Sequence, residues 1–276
     1  MLVALPRLLR RAGASLVHTQ YAVPFRSPCP AVVTIHDLSF EHDREHMNLK
    51  DRLVFQRVVP RAARSARRVL TVSERTRSDL IRLYDLPPEK VVVTPNSVDP
   101  VFTPGSPLAI GSYVLVVGAV QPRKNQIAAL AAAAAVPLPL VVAGPVKDEA
   151  LAAELRAAGA DLRGYVPQEE LVELYRGAAC LVQPSRFEGF GLPVLEAMAC
   201  GCPVVAAKNS SLPEVGGAAA LYAGEQHADE YAQQLARLED AALRALMIRS
   251  GLARAAEFTW SKTFEQTLDV YLGAVR

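Results

Sequence analysis

Short runs of branched aliphatic residues alternate along the chain with stretches in which apolar residues recur at helical spacing. Strand-like runs lie at residues 15–21, 31–38, 68–74 and 90–98, and a second series lies at 113–120, 138–145, 180–185, 202–208 and 219–224. Helical patterns separate the runs of the second series, at residues 125–136, 147–159, 167–178 and 193–200. This alternation predicts an α/β protein built from parallel βαβ units. Polar residues follow the strand-like runs, at the edge where a parallel sheet presents its binding loops.

Residues 98–112 are rich in proline, glycine and serine and lack apolar periodicity, so we predict a linker there. The chain then divides into two Rossmann-like domains, at residues 1–105 and 106–258. The amphipathic stretch 259–276 is predicted to form a helix that packs back on the first domain. Two such domains facing each other create a cleft at the carboxyl ends of both sheets, which is the usual place for a ligand.

The composition is that of a globular protein. Of the 276 residues, 51% are hydrophobic and 21% are charged. The net charge of +2 argues neither for nor against a nucleic-acid partner, and none is predicted. The four cysteines (Cys29, Cys180, Cys200 and Cys202) have neither the spacing of a zinc site nor the density of a disulfide scaffold, which predicts buried thiols and no metal. No apolar run reaches the length of about 20 residues that a membrane span needs. These features predict a cytoplasmic protein.

Positive charge is concentrated in the first quarter of the chain. Residues 1–75 hold 13 Lys and Arg against 6 Asp and Glu, many of them in the basic stretch 57–68. Such a stretch is most often a solvated helix face, and otherwise a patch for an anionic partner such as a membrane surface. Arg64, Arg67 and Arg68 are therefore compatible with peripheral contact at the cytoplasmic face of a membrane.

A glycine-broken segment, RFEGFGLP at residues 186–193, joins a strand-like run to a helical one. Gly189 and Gly191 let the chain turn sharply and let backbone amides approach a ligand without obstruction by a Cβ atom. The helix is predicted to open near Leu192, with a proline in its first turn. Because its N-terminus then points into the cleft, the segment predicts an anion-binding site.

Two glutamates flank these glycines. Glu188 lies in the loop before the helix, where a carboxylate can accept hydrogen bonds from hydroxyl groups of a ligand. Glu196 lies about one turn inside the helix, from where it can reach a vicinal diol farther along the same ligand. Taken singly, Glu188 could equally be a solvated loop residue, and Glu196 a residue that favours the first helical turn. The pair with its glycines favours a ligand.

A cationic pair follows another strand-like run. The run ends at Gly118, and Arg123 and Lys124 come just before a helix that Asn125 could cap. Two adjacent cations at the carboxyl end of a strand suit a diphosphate, because each charge-assisted contact contributes roughly 1.5 to 3 kcal/mol. The alternative is an exposed basic loop.

Together these segments resemble a known family. The resemblance lies in motifs that follow in order, at residues 118–125, 164–185, 186–205 and 209–215. They are similar to motifs of the retaining, nucleotide-sugar-dependent glycosyltransferases of family 4. The resemblance covers the second domain almost completely and implies two facing Rossmann-like domains, the GT-B fold. In the first domain, TIHDLSF at residues 34–40 and the segments around Ser73 and Asn96 are also similar to that family.

The resemblance implies a role for each matching residue. Glu188 is expected to contact hydroxyl groups of the donor sugar, and Glu196 to hold the ribose hydroxyls. Arg123 and Lys124 are expected to neutralise the diphosphate. The remaining donor-binding positions are Gly118, Tyr165, Val166, Gly189, Phe190, Gly191 and Leu192.

The resemblance also implies that His36, next to Asp37, approaches the donor sugar from the first domain. A single histidine after a strand is more often a structural residue, but its place beside the cleft favours a function. The catalytic candidates are therefore Glu188, His36, Arg123 and Lys124.

The implied reaction moves a sugar from a UDP- or GDP-sugar to a hydroxyl of a sugar or lipid-linked acceptor, with retention at the anomeric carbon. It serves polysaccharide or glycolipid synthesis and uses no metal or other cofactor. A glycosidase, which also uses paired carboxylates, leaves the diphosphate site unexplained. A nucleotide-sugar epimerase of similar architecture is a second rival.

The chain departs from the family at its N-terminus. Members usually have a strand, a glycine-rich loop, a long helix and further βα units before the equivalent of residues 16–24, and this sequence has none of them. The first domain is therefore expected to be shortened, with uncovered strand faces that predict self-association or a partner. One further alternative follows: a nucleotide-sugar-binding half-enzyme, inactive without a partner or the missing units.

Overall fold

The computed structural model describes residues 4–42, 49–105, 111–224 and 227–276, and residues 106–110 of the predicted linker lie outside this description. The chain forms two compact units. One consists of Met1–Asn96 and Trp260–Arg276, and the other of Ser97–Thr259. The chain therefore leaves the first unit once and returns to it for its last helix.

The first unit is built around a parallel sheet. Its strands are β1 (Val17–Gln20), β2 (Ala31–Thr34), β3 (Arg68–Thr71) and β4 (Val91–Val93). They pair in the order β1-β2-β3-β4. The helices that accompany them are α1 (Ala4–Arg11), α2 (Ser39–His42), α3 (Leu49–Ser65) and α4 (Glu74–Tyr84). Each strand predicted from the first third of the sequence is present.

The second unit contains a larger parallel sheet. Its strands are β5 (Val114–Val117), β6 (Leu140–Ala143), β7 (Asp161–Gly164), β8 (Cys180–Gln183), β9 (Val204–Ala207) and β10 (Leu221–Ala223). Its helices are α5 (Gln126–Ala135), α6 (Glu149–Ala157), α7 (Gln168–Gly177), α8 (Leu192–Ala199), α9 (Leu212–Gly216), α10 (Ala228–Arg237) and α11 (Ala241–Ala256). Single turns of 3₁₀ helix lie at Pro88–Lys90, Pro122–Lys124 and Gly217–Ala219.

The strand order of the second sheet is β10-β9-β8-β5-β6-β7. The chain starts in the middle at β5, moves outward to β7, crosses back to β8 beside β5, and moves outward again to β10. This is the order of a doubly wound Rossmann fold. The predicted α/β class is confirmed in both units.

The strand β7 was not predicted from the sequence. Its residues DLRG alternate between exposed and half-buried positions, and it pairs with β6 on one side. Asp161 and Arg163 therefore share the exposed face of this edge strand, which lacks the continuous apolar run of a central parallel strand.

The first sheet is covered on both faces. Val33 belongs to a buried cluster that includes Val59 of α3 and Leu80 of α4. Its neighbour Val32 points to the other face, because side chains alternate along a strand. There it packs with Val270 of the last helix, α12 (Trp260–Val275). The expectation of uncovered strand faces is therefore wrong for β2, because α12 supplies the second covering layer.

Three of the cysteines are buried, and Cys29 is half-buried. All four are free thiols. The prediction of buried thiols is thus wrong for Cys29, which lies in the loop that joins β1 to β2.

The carboxylate of Asp79 anchors α4 in the first unit. Asp79 is 3% exposed, and it accepts hydrogen bonds from His42 Nε2 at 2.7 Å, Arg75 Nε at 2.9 Å and Arg82 Nη2 at 2.7 Å. Burial alone would raise the pKa of Asp79, but these hydrogen bonds outweigh burial and hold the pKa well below its ordinary value. The ionised form is therefore the one that the fold stabilises.

We expect Asp79→Asn to lower the free energy of unfolding by about 1 to 3 kcal/mol at pH 7, because charge-assisted hydrogen bonds are replaced by neutral ones. A group with a depressed folded-state pKa stabilises above its unfolded pKa, so this contribution should decline as the pH falls below about 4. Urea unfolding at pH 7 and pH 3 measures both effects. Glu74→Gln, at an exposed ion pair of the same helix, is the control and should cost at most about 0.5 kcal/mol. An equal deficit at both pH values would contradict this account.

Candidate functional site

Two loops follow the neighbouring central strands β5 and β8, where the order of the second sheet reverses. Such a reversal opens a crevice at the carboxyl ends of the strands. The loops touch, because the Arg186 N–H donates a hydrogen bond to the Arg123 carbonyl at 2.9 Å. Asn125 Nδ2 donates a second one to the Pro184 carbonyl at 3.3 Å. The fold therefore brings together the cationic pair after β5 and the glycine-broken segment after β8, which the sequence analysis had identified separately.

Asn125 was expected to cap α5 with its side chain, and it does not. Its backbone is left-handed, with φ 53°, and no side-chain cap bond forms. Asparagine tolerates this conformation better than most residues. The turn leads the chain from Pro122–Lys124 into α5 and frees the Asn125 amide to join the loop of β8.

A buried ion-pair cluster lies between these loops. Lys124 Nζ donates to Glu188 Oε1 at 2.6 Å, and Arg123 Nη1 lies 3.7 Å from Glu188 Oε2. Gln183 Nε2, at the end of β8, donates to the same Oε1 at 2.7 Å. Glu188 is 8% exposed. The cations that were expected to bind a diphosphate are thus bound to the carboxylate that was expected to bind a sugar.

The charge state of this cluster is well defined. Burial by itself raises the pKa of Glu188, but the positive charges of Lys124 and Arg123 outweigh burial and leave the pKa below its ordinary value. Glu188 is therefore ionised at neutral pH. With two cations and one anion, the cluster keeps an unneutralised positive charge that attracts an anionic ligand.

The loop between Glu188 and α8 presents backbone donors. Gly191 precedes the helix with φ 108°, a conformation that suits glycine. The Ser211 hydroxyl shares its one proton between the carbonyl oxygens of Glu188 at 2.9 Å and Phe190 at 2.7 Å, which fixes the path of the loop. Within the parts of the chain that the structure describes, the N–H groups of residues 189–192 have no hydrogen-bond acceptor. Together with the N-terminus of α8, they form a surface of hydrogen-bond donors of the kind that suits an anion.

Leu192 and Gly118 border this surface. Leu192 is the first residue of α8 and is 36% exposed, as expected for a residue at the mouth of a crevice. Gly118 follows β5 with φ 143°, and a Cβ atom at this position would lie 3.2 Å from Cε of Lys124. The absence of a side chain at Gly118 thus lets Lys124 fold back across the end of β5 towards Glu188.

Glu196 lies on α8, one turn in from its start, as the sequence predicted. Its Oε2 accepts a hydrogen bond from the Tyr175 hydroxyl at 2.7 Å. Burial raises the pKa of Glu196, and the bond from Tyr175 opposes this shift. The two glutamates therefore sit in different environments, one neutralised by cations and the other held by a phenol.

Tyr165 and Val166 follow the edge strand β7, at the same carboxyl edge of the sheet. Gly164, the last residue of β7, has φ 65°, and its carbonyl accepts the N–H of Gly144 at 2.7 Å. Tyr165 is 82% exposed. The left-handed turn at Gly164 thus ends the strand and places Tyr165 and Val166 at the edge that carries the other predicted positions.

His36 belongs to the first unit, where it follows β2. Its ring lies 5.8 Å from the ring of Tyr21, centroid to centroid. The Tyr21 hydroxyl donates to Asp37 Oδ2 at 3.2 Å, and the Ser39 N–H donates to Asp37 Oδ1 at 2.8 Å. Burial lowers the pKa of His36, with Asp37 opposing, so the imidazole is neutral at pH 7.

Comparison with known proteins agrees with this geometry. The model of the family described as "Glycosyl transferases group 1" matches residues 111–252, and that of "Glycosyltransferase Family 4" matches residues 1–102. The O-antigen chain mannosyltransferase B of Escherichia coli is 36% identical, over 87% of this chain and 70% of that protein. The chain belongs to the family 4 glycosyltransferases. A D-inositol 3-phosphate glycosyltransferase of Acidothermus cellulolyticus is 34% identical, over 76% of this chain and 54% of its own length.

Solved structures show the fold of this glycosyltransferase. Sucrose-phosphate synthase from Thermosynechococcus elongatus superimposes with a TM-score of 0.83 at 21% identity, over 98% of this chain and 76% of that one. HepE from Anabaena, solved in complex with UDP and glucose, gives a TM-score of 0.80 at 19% identity, over 97% and 80% of the two chains. These are GT-B glycosyltransferases, so the predicted GT-B fold class is confirmed. The chain spans about half the length of the inositol-phosphate relatives that it matches.

Two residues of the glycosyltransferase site were missed in the sequence. Gln183 ends the apolar run at residues 180–182, and Tyr175 lies at an apolar position of the helical pattern 167–178, so both look like ordinary core positions. A signal was available for both, because a buried amide or phenol needs a hydrogen-bond partner. For Gln183 that partner is Glu188, and for Tyr175 it is Glu196.

Neither a metal centre nor a membrane helix is found in the described residues. No group of three or more His, Cys, Asp and Glu side chains there could hold a metal ion. Among the same residues, no helix is both long and apolar enough to cross a bilayer.

Proposed function

We propose that this glycosyltransferase moves a sugar from a nucleoside-diphosphate sugar to an acceptor hydroxyl with retention at the anomeric carbon. The observation that carries this proposal is the cluster of Lys124, Arg123 and Glu188 beside the N-terminus of α8. It combines two cations with free backbone donors at the reversal point of a Rossmann sheet, and this combination suits a diphosphate.

The cluster also suggests which contacts change when the donor binds. Glu188 occupies the positions around Lys124 and Arg123 that phosphate oxygens require. When the diphosphate binds, it replaces Glu188 as the partner of both cations. Glu188, still bonded to Gln183, then becomes available to accept hydrogen bonds from the donor sugar. Glu188 thus balances part of the positive charge of Lys124 and Arg123 before the donor binds, and it orients the donor sugar afterwards.

Catalysis in this proposal rests on the departing diphosphate. As the sugar–phosphate bond breaks, negative charge grows on the leaving group, and preorganised positive groups stabilise it. Lys124, Arg123 and the amides of residues 189–192 are the groups that do so here. Since these groups supply the positive charge, the proposed reaction needs no metal ion. Neutral His36 is proposed to contact the donor sugar without adding charge.

The donor and acceptor classes follow by analogy. UDP and GDP are the proposed carriers, and HepE is a relative in fold whose structure contains UDP and glucose. The name of the Escherichia coli relative refers to the O-antigen chain, which supports polysaccharide or glycolipid synthesis as the setting. A lipid-linked acceptor fits the exposed arginines of α3, Arg57, Arg61 and Arg64. Cytoplasmic location, membrane contact and self-association stay predictions.

Calorimetric titration with UDP, GDP and ADP, followed by assays of nucleotide release from the matching sugars with and without glycoside acceptors, tests the proposal. We expect one nucleotide to bind, and release to require an acceptor. Proton NMR of the product should show the anomeric configuration of the donor. Binding without any release would favour the half-enzyme. An epimerised donor in the absence of acceptor would favour the epimerase. Failure of all three nucleotides to bind would refute the proposal.

A further inference from the structure

The hydroxyl of Tyr175 is placed to orient one carboxylate of the site. Tyr175 lies on α7 and is fully buried. Its ring packs edge-on against Phe102, with centroids 5.9 Å apart and planes at 71°. Its hydroxyl reaches across to α8 and donates to Glu196 Oε2 at 2.7 Å. The ring is thus locked by packing while its polar end contacts a residue of the site.

This hydrogen bond leaves one side of the Glu196 carboxylate available. Among the described residues, Tyr175 is the hydrogen-bond partner of that carboxylate, and it occupies Oε2. Burial raises the pKa of Tyr175 well above its ordinary value, so the phenol keeps its proton and remains a donor. A carboxylate with one oxygen fixed by a rigid donor has a single preferred orientation, because rotation would break this partly buried hydrogen bond.

We propose that Tyr175 is a positioning residue that, by fixing Glu196, gives the site its preference for ribonucleotides over 2′-deoxyribonucleotides. The inference rests on the proposed function and on the role that the family resemblance implies for Glu196, which is to hold the ribose hydroxyls. A vicinal diol gives a fixed carboxylate two hydrogen bonds, and a 2′-deoxyribose gives one. A buried polar group that loses a partner discriminates strongly against the ligand that cannot supply it.

The test is the ratio of dissociation constants for UDP and 2′-deoxy-UDP, and for GDP and 2′-deoxy-GDP, measured by calorimetry on the whole chain. For the unmodified protein we expect the ribonucleotide to bind roughly 10 to 100 times more tightly. In Tyr175→Phe the ratio should fall to about 3 or less, with most of the change in the ribonucleotide. A general structural defect would weaken both nucleotides equally and leave the ratio unchanged.

Tyr113→Phe is the matched control. The Tyr113 hydroxyl donates to the Leu174 carbonyl on the same helix, also at 2.7 Å, and its partner is not Glu196. This variant removes an equally short tyrosine bond to α7 and should keep the full ribonucleotide preference. Loss of preference in Tyr113→Phe to the same extent as in Tyr175→Phe would overturn the inference.

Glu196→Gln makes the test independent of how well Tyr175→Phe folds. A glutamine keeps a partner for the phenol but replaces a carboxylate oxygen by an amide, so this variant should also lose the ribonucleotide preference. In the Glu196→Gln background, adding Tyr175→Phe should change the ratio no further. An unchanged ratio in either single variant overturns the inference while the proposed function stands. If UDP, GDP and ADP all fail to bind the unmodified protein, both fall; if only ADP binds, the same ratio is measured for ADP and 2′-deoxy-ADP.

Discussion

Replacing Lys124 by alanine is expected to lower kcat/KM for sugar transfer by about 10² to 10³, the loss typical of removing one preorganised group that stabilises the leaving charge. The ammonium group lies in the middle of the proposed diphosphate site, 2.6 Å from the carboxylate that we propose the phosphates replace. Binding of the nucleoside diphosphate should weaken by roughly 10-fold or more, because one charge-assisted contact is lost. Steady-state kinetics and calorimetry measure the two effects separately.

The fold should survive this substitution. Glu188 keeps a hydrogen bond from Gln183 and the nearby charge of Arg123, so its carboxylate is not left isolated. Arg156→Ala is the control for the loss of one positive charge. Arg156 lies in the last turn of α6, towards the amino ends of the strands, and forms an exposed ion pair. It should change transfer by less than about 2-fold. Near-normal transfer in Lys124→Ala, with the unfolding midpoint unchanged, would remove the basis of the proposed site.

Replacing Glu188 by glutamine is expected to move binding and transfer in opposite directions. Glutamine has nearly the same shape but no charge, so the diphosphate no longer has to displace an anion from Lys124 and Arg123. Nucleoside diphosphate should then bind about 10-fold more tightly, an effect equal to one modest charge-assisted contact. Transfer should fall by about 10²-fold, because the sugar loses an ionised hydrogen-bond acceptor.

Calorimetry with UDP and GDP and the rate of acceptor-dependent nucleotide release test this pair of effects. Because the pKa of Glu188 is held below its ordinary value, the carboxylate competes across the neutral pH range, and the gain in affinity should be the same at pH 6 and pH 8. Glu154→Gln, an exposed residue of α6, changes the net charge equally and should alter neither quantity. Weaker nucleotide binding in Glu188→Gln would show that Glu188 helps to bind the phosphates rather than competing with them.

The sequence predicted most of the fold because parallel strands buried on both faces leave an unambiguous pattern. Runs such as VLVV before Gly118 and LVVA before Gly144 are continuous and apolar, and glycines end them. The same rule explains the failure at β7, whose polar residues belong to an edge strand. The amphipathic pattern of residues 259–276 predicted that α12 packs on the first unit. That it covers β2 in particular depends on contacts between distant parts of the chain, which no local pattern reports.

The candidate site was predictable as a set of residues but not as a set of contacts. The motifs placed Glu188 and Lys124 in separate loops, and the topology brings these loops together because β8 returns to lie beside β5. The pairing of the two side chains depends on that return. Tyr175 and Gln183 were missed because sequence periodicity tells that a residue is buried and does not tell which polar atom faces it.

The two points at which the chain crosses between the units are themselves tied together. Ser97 Oγ donates to the Phe258 carbonyl at 2.7 Å within the second unit, and Thr263 Oγ1 donates to the Pro95 carbonyl at 2.6 Å within the first. The second unit is therefore a continuous insert whose ends lie side by side. We expect that it can be exchanged as a cassette with the equivalent segment of a relative, which would transfer donor preference while leaving the host unit and its own hydrogen bonds intact.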